Sequence, residues 1–206
     1  MNPFPRVCAE RIENNMPLTR EEALRLFREA EPTTLGKLAD RIRRRLHPEN
    51  VVTYVVDRNV NYTNICVSRC RFCAFFRDTG SPDAYVLTRE EIFRKIRELA
   101  EQGGTQLLMQ GGLHPGLGIE FFEGLFRGVK ERFPHIHIHS LSPAEIVHIS
   151  ALSDSTVAET LQRLRRAGLD SLPGGGAEIL VDRVRKEISP GKIGWEEWAA
   201  VMREAA

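Results

Sequence analysis

Three cysteines lie close together in the sequence, and their type and spacing could hold an iron–sulfur cluster. Cys66, Cys70 and Cys73 follow the pattern C-x3-C-x2-C, so one short loop carries three thiols. Clusters with four irons are normally held by four cysteine thiolates. The remaining cysteine, Cys8, lies far upstream in a segment without metal-site character. A four-iron cluster on this loop would therefore leave one iron open to an external ligand.

Two other interpretations of the cysteines are open but less favoured. Structural zinc sites use four ligands, usually in two pairs, and the candidate fourth ligands His47 and His114 stand alone. Disulfide frameworks belong to small, cysteine-dense secreted domains, whereas this chain has four cysteines in 206 residues and no signal peptide. We therefore expect a reduced, cytoplasmic protein with a cluster at the three cysteines.

The composition argues against two classes of partner. The hydrophobic fraction is 42% and the net charge is +1, both ordinary for a globular protein. A balanced charge gives no electrostatic footprint for nucleic acid. No apolar run approaches the roughly 18–20 residues that span a bilayer. We expect neither nucleic acid nor a membrane as a partner.

Strands and helices alternate along most of the chain. Stretches rich in β-branched and apolar residues predict four strands, at 51–57, 105–110, 135–139 and 169–172. Amphipathic helices separate them, which favours a parallel sheet with helices outside. We predict an α/β fold of the TIM type, a (β/α) barrel of which only the first four βα units are present, because a full barrel takes about 250 residues. The predicted domains are a helical extension at 1–50 and the N-terminal half of a barrel at 51–206.

Every unusual loop falls at the carboxyl end of a predicted strand, where barrel enzymes place their functional residues. The cysteine loop follows the first strand, and Gln110-Gly111-Gly112 ends the second. Ser140-Leu-Ser142 follows the third strand, and Pro173-Gly-Gly-Gly-Ala-Glu178 follows the fourth. The four loops are therefore expected to meet at one edge of the sheet.

The cysteine loop resembles the signature of the radical S-adenosylmethionine enzymes, because C-x3-C-x2-C carries an aromatic residue, Phe72, directly before its last cysteine. The resemblance implies a 4Fe-4S cluster on the three cysteines and S-adenosyl-L-methionine on the open iron. It also implies an external electron donor of the flavodoxin or ferredoxin type, and cleavage of the cofactor to a 5′-deoxyadenosyl radical.

Longer strings resemble one branch of that family, the cyclic dehypoxanthine futalosine synthases of menaquinone biosynthesis. They are Asn61-Tyr-Thr-Asn-Ile-Cys66, Gly104-Thr-Gln-Leu-Leu-Met-Gln-Gly-Gly-Leu-His-Pro115, His137-Ile-His-Ser-Leu-Ser-Pro143 and Leu169-Asp-Ser-Leu-Pro-Gly-Gly-Gly-Ala-Glu-Ile-Leu180. This branch implies a small, nucleoside-like substrate and ring closure as the reaction. The sister aminofutalosine synthases and deazaflavin-cofactor synthases share much of these strings. A catalytically inert fragment and a zinc-stabilised module remain further alternatives.

The resemblance also implies roles for the cofactor residues. Phe72 would pack beside cluster and adenine, although a core phenylalanine is an equal alternative. Gln110-Gly111-Gly112 would receive the methionine ammonium on backbone carbonyls, since glycine lets a ligand approach the main chain. Leu113 replaces the acidic residue that usually follows, so no carboxylate contact is carried over. Glu178 would bind the ribose or amino group, or else stabilise a helix start.

Polar residues after the third strand are candidates for substrate or cofactor hydrogen bonds: His139, Ser140 and Ser142. The pattern His135-Ile-His-Ile-His139 also permits a metal interpretation, but histidines lining the barrel interior are the commoner case. The isoleucines of this strand are expected to face the helices. No residue is identified as the base that removes the final proton.

Overall fold

The computed structural model describes residues 4–206, which form two compact units divided between Tyr54 and Val55. The first unit contains three helices, α1 (Phe4–Glu13), α2 (Arg20–Glu29) and α3 (Pro32–Leu46). Among its described residues, Cys8, Ile12, Leu26 and Leu38 are buried and pack together. Burial raises the pKa of the Cys8 thiol, as expected for a cysteine that packs as a small apolar residue.

The second unit is built on a three-stranded parallel sheet in the order β1-β2-β3. The strands are β1 (Asp57–Asn61), β2 (Gln106–Gln110) and β3 (His137–Ser140). Along β2, Leu107 and Met109 are fully buried, while the residues between and beside them are half-buried. This alternation turns one face of the sheet toward the helices and leaves the other more open.

Six helices follow the strands: α4 (Arg89–Glu101), α5 (Ile119–Arg132), α6 (Pro143–Leu152), α7 (Val157–Ala167), α8 (Asp182–Ile188) and α9 (Trp195–Ala205). The core lies between sheet and helices, and its largest fully buried side chains include Phe122, Phe126, Ile96, Ile138 and Ile146. Parallel strands joined by helical crossovers make this unit a partial TIM-type (β/α) barrel, as the sequence predicted.

The first strand begins later than the sequence predicted. Val51, Val52 and Tyr54 are exposed and have no strand structure, although they are rich in β-forming types. The first bond to β2 comes only at Val56, whose carbonyl accepts from the Thr105 amide at 3.0 Å. Strand propensity depends on side-chain packing and on pairing with another strand, and Val51, Val52 and Tyr54 are neither buried nor paired in a strand.

The fourth predicted strand is reduced to a single bridge. Ser171 pairs with His139 in parallel, and its carbonyl accepts from the Ser140 amide at 3.1 Å. The Asp170 amide donates to the Ile138 carbonyl at 3.0 Å. The chain therefore continues the β1-β2-β3 order at this edge, but too briefly to form a regular strand.

Candidate active site

A cavity of about 390 Å³ lies at the carboxyl ends of the parallel strands. All three thiols of the cysteine loop line it, together with the glycine-rich ends of the second and fourth βα units. The lining includes Cys66, Cys70, Phe72, Cys73, Gln110, Gly111, Gly112, Ser142, Glu145, Gly175, Glu178 and Lys192. The structure therefore brings the four predicted loops to one place.

The cysteine loop is held by backbone bonds at both of its ends. The Cys66 amide donates to the Arg77 carbonyl at 3.1 Å, and the Cys73 amide donates to the Cys70 carbonyl at 3.0 Å. The Arg71 amide donates to Ile188, at the end of α8, at 2.8 Å. The first two contacts hold the loop locally, the third ties it to α8, and the three cysteines line the cavity wall.

Two of the thiols have hydrogen-bond partners. The Leu113 amide donates to Cys66 Sγ at 3.3 Å, and Ser68 Oγ lies 3.3 Å from Cys70 Sγ. Cys70 is buried, whereas Cys66 and Cys73 are half-buried. Hydrogen bonds to the sulfurs and limited solvent exposure both tune the reduction potential of iron–sulfur clusters.

The donor set fits a four-iron cluster better than a single metal ion. Within residues 4–206, no three His, Cys, Asp or Glu side chains are arranged to hold one ion. The thiolates of a four-iron cluster need not converge on one atom, because each binds a different iron. Three thiols on one cavity wall meet this requirement. They would hold a cluster in which one iron has no protein thiolate.

The two glycines after β2 are required by close packing. A Cβ atom on Gly111 would overlap the ring of Tyr62, and one on Gly112 would overlap the Ile65 carbonyl and the Cys66 side chain. The Gly112 amide donates to the Thr63 carbonyl at 3.0 Å. The end of β2 is thereby pressed directly against the cysteine loop, with its main chain on the cavity wall.

Phe72 and Glu178 lie on the cavity and are joined by Lys192. The Phe72 ring is 51% exposed, so it is no core residue, and Lys192 Nζ lies 5.7 Å from its centre. The same Nζ is 2.8 Å from Glu178 Oε1. Because α8 begins at Asp182, Glu178 lies in the loop before the helix and does not stabilise its first turn.

The remaining predicted substrate residues have different placements. Ser142 lines the cavity, but its hydroxyl accepts from the Glu145 amide at 3.3 Å. Ser140 is fully buried and donates to the Met109 carbonyl at 2.7 Å, which leaves it inside the core. His139 Nδ1 lies 2.6 Å from Ser171 Oγ, outside the cavity lining. Burial and the neighbouring His137 lower the pKa of His139.

Sequence reasoning gave no functional role to Tyr62, Glu145 or Lys192, which belong to the site. Glu145 is buried and accepts from the Tyr62 hydroxyl at 2.8 Å and the Gly111 amide at 3.0 Å. Burial raises the pKa of the Glu145 carboxyl, although its hydrogen bonds from Ser142, Tyr62 and Gly111 act in the opposite direction. Burial, and then Glu145, raise the pKa of Tyr62 well above its ordinary value. The sequence signal for Glu145 was the capping box that it forms with Ser142 at the start of α6. Because α6 is an apolar helix, the glutamate of this capping box is buried.

Fold and site together define a partial (β/α)-barrel protein with a three-cysteine loop at the carboxyl ends of its strands. The Radical SAM superfamily matches residues 60–206, and the chain belongs to that superfamily. Members of this superfamily use a 4Fe-4S cluster and S-adenosylmethionine. The match confirms the resemblance of the chain to the radical S-adenosylmethionine enzymes.

Solved structures share the fold at low sequence identity. The FeFe-hydrogenase maturase HydG matches with a TM-score of 0.71 and 18% identity, covering 100% of this chain and 44% of that one. Methylornithine synthase (PylB) matches with a TM-score of 0.71 and 17% identity, covering 96% and 55%. Both likenesses support the partial barrel architecture.

Curated relatives are much closer in sequence. Cyclic dehypoxanthine futalosine synthase of Halalkalibacterium halodurans is 47% identical over 194 residues, covering 94% of this chain and 52% of the relative. The enzyme of the same name from Streptomyces coelicolor is 43% identical. The 5-amino-6-(D-ribitylamino)uracil–L-tyrosine 4-hydroxyphenyl transferase 1 of Methanosarcina acetivorans is 46% identical over 187 residues, covering 91% and 48%. The chain spans about half the length of the curated relatives it matches.

Among the residues that the structure describes, no helix is both long enough and apolar enough to cross a bilayer.

Proposed function

We propose that the chain binds a 4Fe-4S cluster on Cys66, Cys70 and Cys73 and S-adenosylmethionine in the adjoining cavity. The observation that carries this proposal is that all three thiols and the Gly111-Gly112 backbone line the same cavity. The protein acts as a radical cyclase that converts dehypoxanthine futalosine to cyclic dehypoxanthine futalosine in menaquinone biosynthesis. The 47% identity to an enzyme of that name, over 94% of this chain, supports the assignment.

The bound cluster and S-adenosylmethionine would supply the one-electron radical chemistry that closes the ring of the substrate. Three thiolates of the chain hold the cluster. Gln110, Gly111 and Gly112 offer main-chain acceptors to the methionine ammonium. One electron must come from outside the chain, and a protein of the flavodoxin or ferredoxin type is the proposed donor.

Side chains around the cavity orient the cofactor and exclude water. The exposed Phe72 ring would cover the adenine, as an apolar surface beside the thiols. Glu178 would accept from the ribose or amino group, and its bond to Lys192 holds its carboxylate at the cavity. Ser142 adds a hydroxyl to the same wall. His139 and Ser140 remain weaker candidates for substrate contacts, because neither lines the cavity.

A second candidate reaction is supported by nearly equal identity. The chain is 46% identical to a 5-amino-6-(D-ribitylamino)uracil–L-tyrosine 4-hydroxyphenyl transferase, also over most of its length. The two reactions share the cluster and the cofactor but consume different substrates. The cavity residues described above serve both, so the substrate decides between them.

Product analysis separates the two candidates. The chain is reconstituted anaerobically with iron and sulfide, reduced with dithionite and given S-adenosylmethionine. One sample receives dehypoxanthine futalosine, and another receives 5-amino-6-(D-ribitylamino)uracil with tyrosine. Formation of cyclic dehypoxanthine futalosine in the first sample alone supports the cyclase. Coupled product in the second sample alone supports the transferase. If neither forms while S-adenosylmethionine is cleaved, both substrate assignments are wrong for this chain.

A further inference from the structure

Glu145 is a buried carboxylate at the back of the cavity. Only 3% of the residue is exposed, and it lies in the first turn of α6. Its Oε2 accepts from the Ser142 amide at 2.7 Å, which completes the capping box of its own helix. Its Oε1 accepts from the Tyr62 hydroxyl at 2.8 Å and the Gly111 amide at 3.0 Å. One carboxylate therefore bonds the cap of α6, the residue after β2 and the residue after β1.

The other capping boxes of the second unit show what is unusual here. Glu91 and Glu159 cap α4 and α7, and their carboxylates bond the backbone and hydroxyl of their own cap residues, Thr88 and Thr156. These bonds lie at the surface. A capping box thus needs neither burial nor a second partner. Burying a carboxylate is costly unless specific partners compensate, so the burial of Glu145 indicates a task beyond capping.

That task concerns the peptide between Gln110 and Gly111. In a trans peptide, the amide N–H and the preceding carbonyl point in opposite directions. Holding the Gly111 N–H toward Glu145 therefore fixes the Gln110 carbonyl on the side away from Glu145. Both residues line the cavity, so this bond sets which main-chain atoms the cavity presents.

Tyr62 ties the same peptide to the cysteine loop. Its ring packs so closely on Gly111 that a Cβ there would overlap it. Its hydroxyl bonds Glu145, and the chain reaches Cys66 four residues later. Gly111 is thus held by a hydrogen bond to Glu145 and by packing against the ring of Tyr62, which precedes the cysteine loop.

We propose that Glu145 is a positioning residue that fixes the Gly111 peptide and thereby the main-chain site for the cationic amino group of the ligand. This inference rests on the proposed function, in which Gln110, Gly111 and Gly112 receive the ammonium of S-adenosylmethionine. Glu145 acts through Gly111, since its Oε1 accepts from the Gly111 amide and the Tyr62 hydroxyl while its Oε2 accepts from the Ser142 amide.

The test uses Glu145→Gln in the reconstituted chain. Glutamine keeps the size of the side chain, but one of its ends becomes an NH2 donor that must face an N–H or O–H donor. The new NH2 group faces either the Ser142 N–H or the Gly111 N–H, so one of these two contacts is lost, and the other no longer meets a charged acceptor. Glu159→Gln is the matched control, since it makes the same change in a capping box that does not reach the cavity. Tyr62→Phe removes a single donor to Glu145 and serves if Glu145→Gln fails to fold.

Three quantities are measured on each variant: iron content, amide exchange of the peptide around Gly111 by mass spectrometry without ligand, and affinity for two ligands. The ligands are S-adenosylmethionine and an analogue that lacks the amino group. We expect Glu145→Gln to keep its iron, to exchange faster at Gly111, and to bind S-adenosylmethionine about tenfold more weakly. Its affinity for the deaminated analogue should equal that of the wild type. Glu159→Gln should match the wild type throughout.

The inference and the proposed function fail in different ways. If the wild type binds iron and S-adenosylmethionine and Glu145→Gln binds both equally well, the positioning role is wrong and the proposed function stands. If Glu145→Gln weakens both ligands equally, its role is structural and the inference is also wrong. If the wild type binds no S-adenosylmethionine, the proposed function falls, and the inference falls with it.

Discussion

Leu113 and Cys66 are joined by a hydrogen bond in which the Leu113 amide donates to Sγ at 3.3 Å. The Leu113 carbonyl in turn accepts from the Val67 amide at 3.0 Å. The residue after the two glycines is therefore bonded to the cysteine loop through both of its backbone groups. The loop that would hold the cluster and the loop that would hold the cofactor are therefore bonded directly to each other.

Gly112→Ala should disrupt both loops. The added Cβ would overlap the Ile65 carbonyl and the Cys66 side chain, neither of which can move without shifting the cysteine loop. We expect a loss of about 1–3 kcal/mol in the free energy of unfolding, together with reduced iron uptake. Denaturant unfolding and iron analysis measure these effects.

Gly116→Ala provides the control for that change. Its Cβ would meet His114 at 3.5 Å, an ordinary contact, so we expect little effect on stability or iron content. Equal behaviour of the two alanine variants would contradict the close packing described here.

Ser68→Ala should change the redox properties of the site and leave its assembly intact. Ser68 is buried with Oγ 3.3 Å from Cys70 Sγ, and it can only donate once that thiol is a thiolate ligand. Losing a donor destabilises the more negative, reduced cluster. We expect normal iron content and a more negative reduction potential, measured by redox titration. An unchanged potential would show that the hydroxyl does not donate to this sulfur.

Lys192→Met should weaken cofactor binding while sparing the cluster. Lys192 holds the Glu178 carboxylate at 2.8 Å and lies against the Phe72 ring. Without it, both groups lose their fixed position on the cavity. We expect affinity for S-adenosylmethionine to fall about fivefold, corresponding to an ion pair worth about 1 kcal/mol. Lys186→Met, an exposed lysine on α8, is the control, and its affinity should not change.

Glu123 should make the stability of the fold depend on pH. Arg163 on α7 bonds both carboxylate oxygens of Glu123 on α5, each at 3.0 Å. The hydrogen bond from Arg163 lowers the pKa of Glu123, and burial acts in the other direction. The pair therefore contributes fully above the unfolded pKa of about 4.3 and is lost as the pH falls through the lower, folded value.

Glu123→Gln should accordingly cost about 1 kcal/mol of unfolding free energy at pH 7, and the difference from wild type should shrink in acid. Unfolding by denaturant at several pH values measures both quantities. Glu131→Gln on the same helix is the control. A difference that stays constant down to pH 3 would contradict the assigned ion pair.

The gathering of the loops could be predicted from the sequence because it follows from topology. Carboxyl ends of parallel strands meet at one edge, so the cysteine loop and Gly111-Gly112 had to lie close together. Side chains alternate between the two faces of β3, and this alternation places Ser140 on the buried face. The prediction of Ser140 as a substrate contact did not take this into account. Ser140 shares a face of β3 with Ile138, which packs in the core, and both are fully buried.

Other features depend on tertiary contacts that local pattern does not encode. Glu145 reaches Gly111 34 residues away and Tyr62 83 residues away, and only the folded structure reveals those partners. The stretch around Val52 has strong strand propensity but no partner strand, so it stays irregular and exposed.

The most direct test of the central claim is a joint assay of iron, sulfide and 5′-deoxyadenosine after anaerobic reconstitution, reduction and addition of S-adenosylmethionine. Cys70→Ala and Cys8→Ala are compared with the wild type, since both cysteines are buried but only Cys70 lines the cavity. We predict four irons per chain and 5′-deoxyadenosine for the wild type and Cys8→Ala, and loss of both for Cys70→Ala. A wild-type chain that takes up no iron, or a Cys70→Ala variant that behaves as the wild type does, would contradict the account.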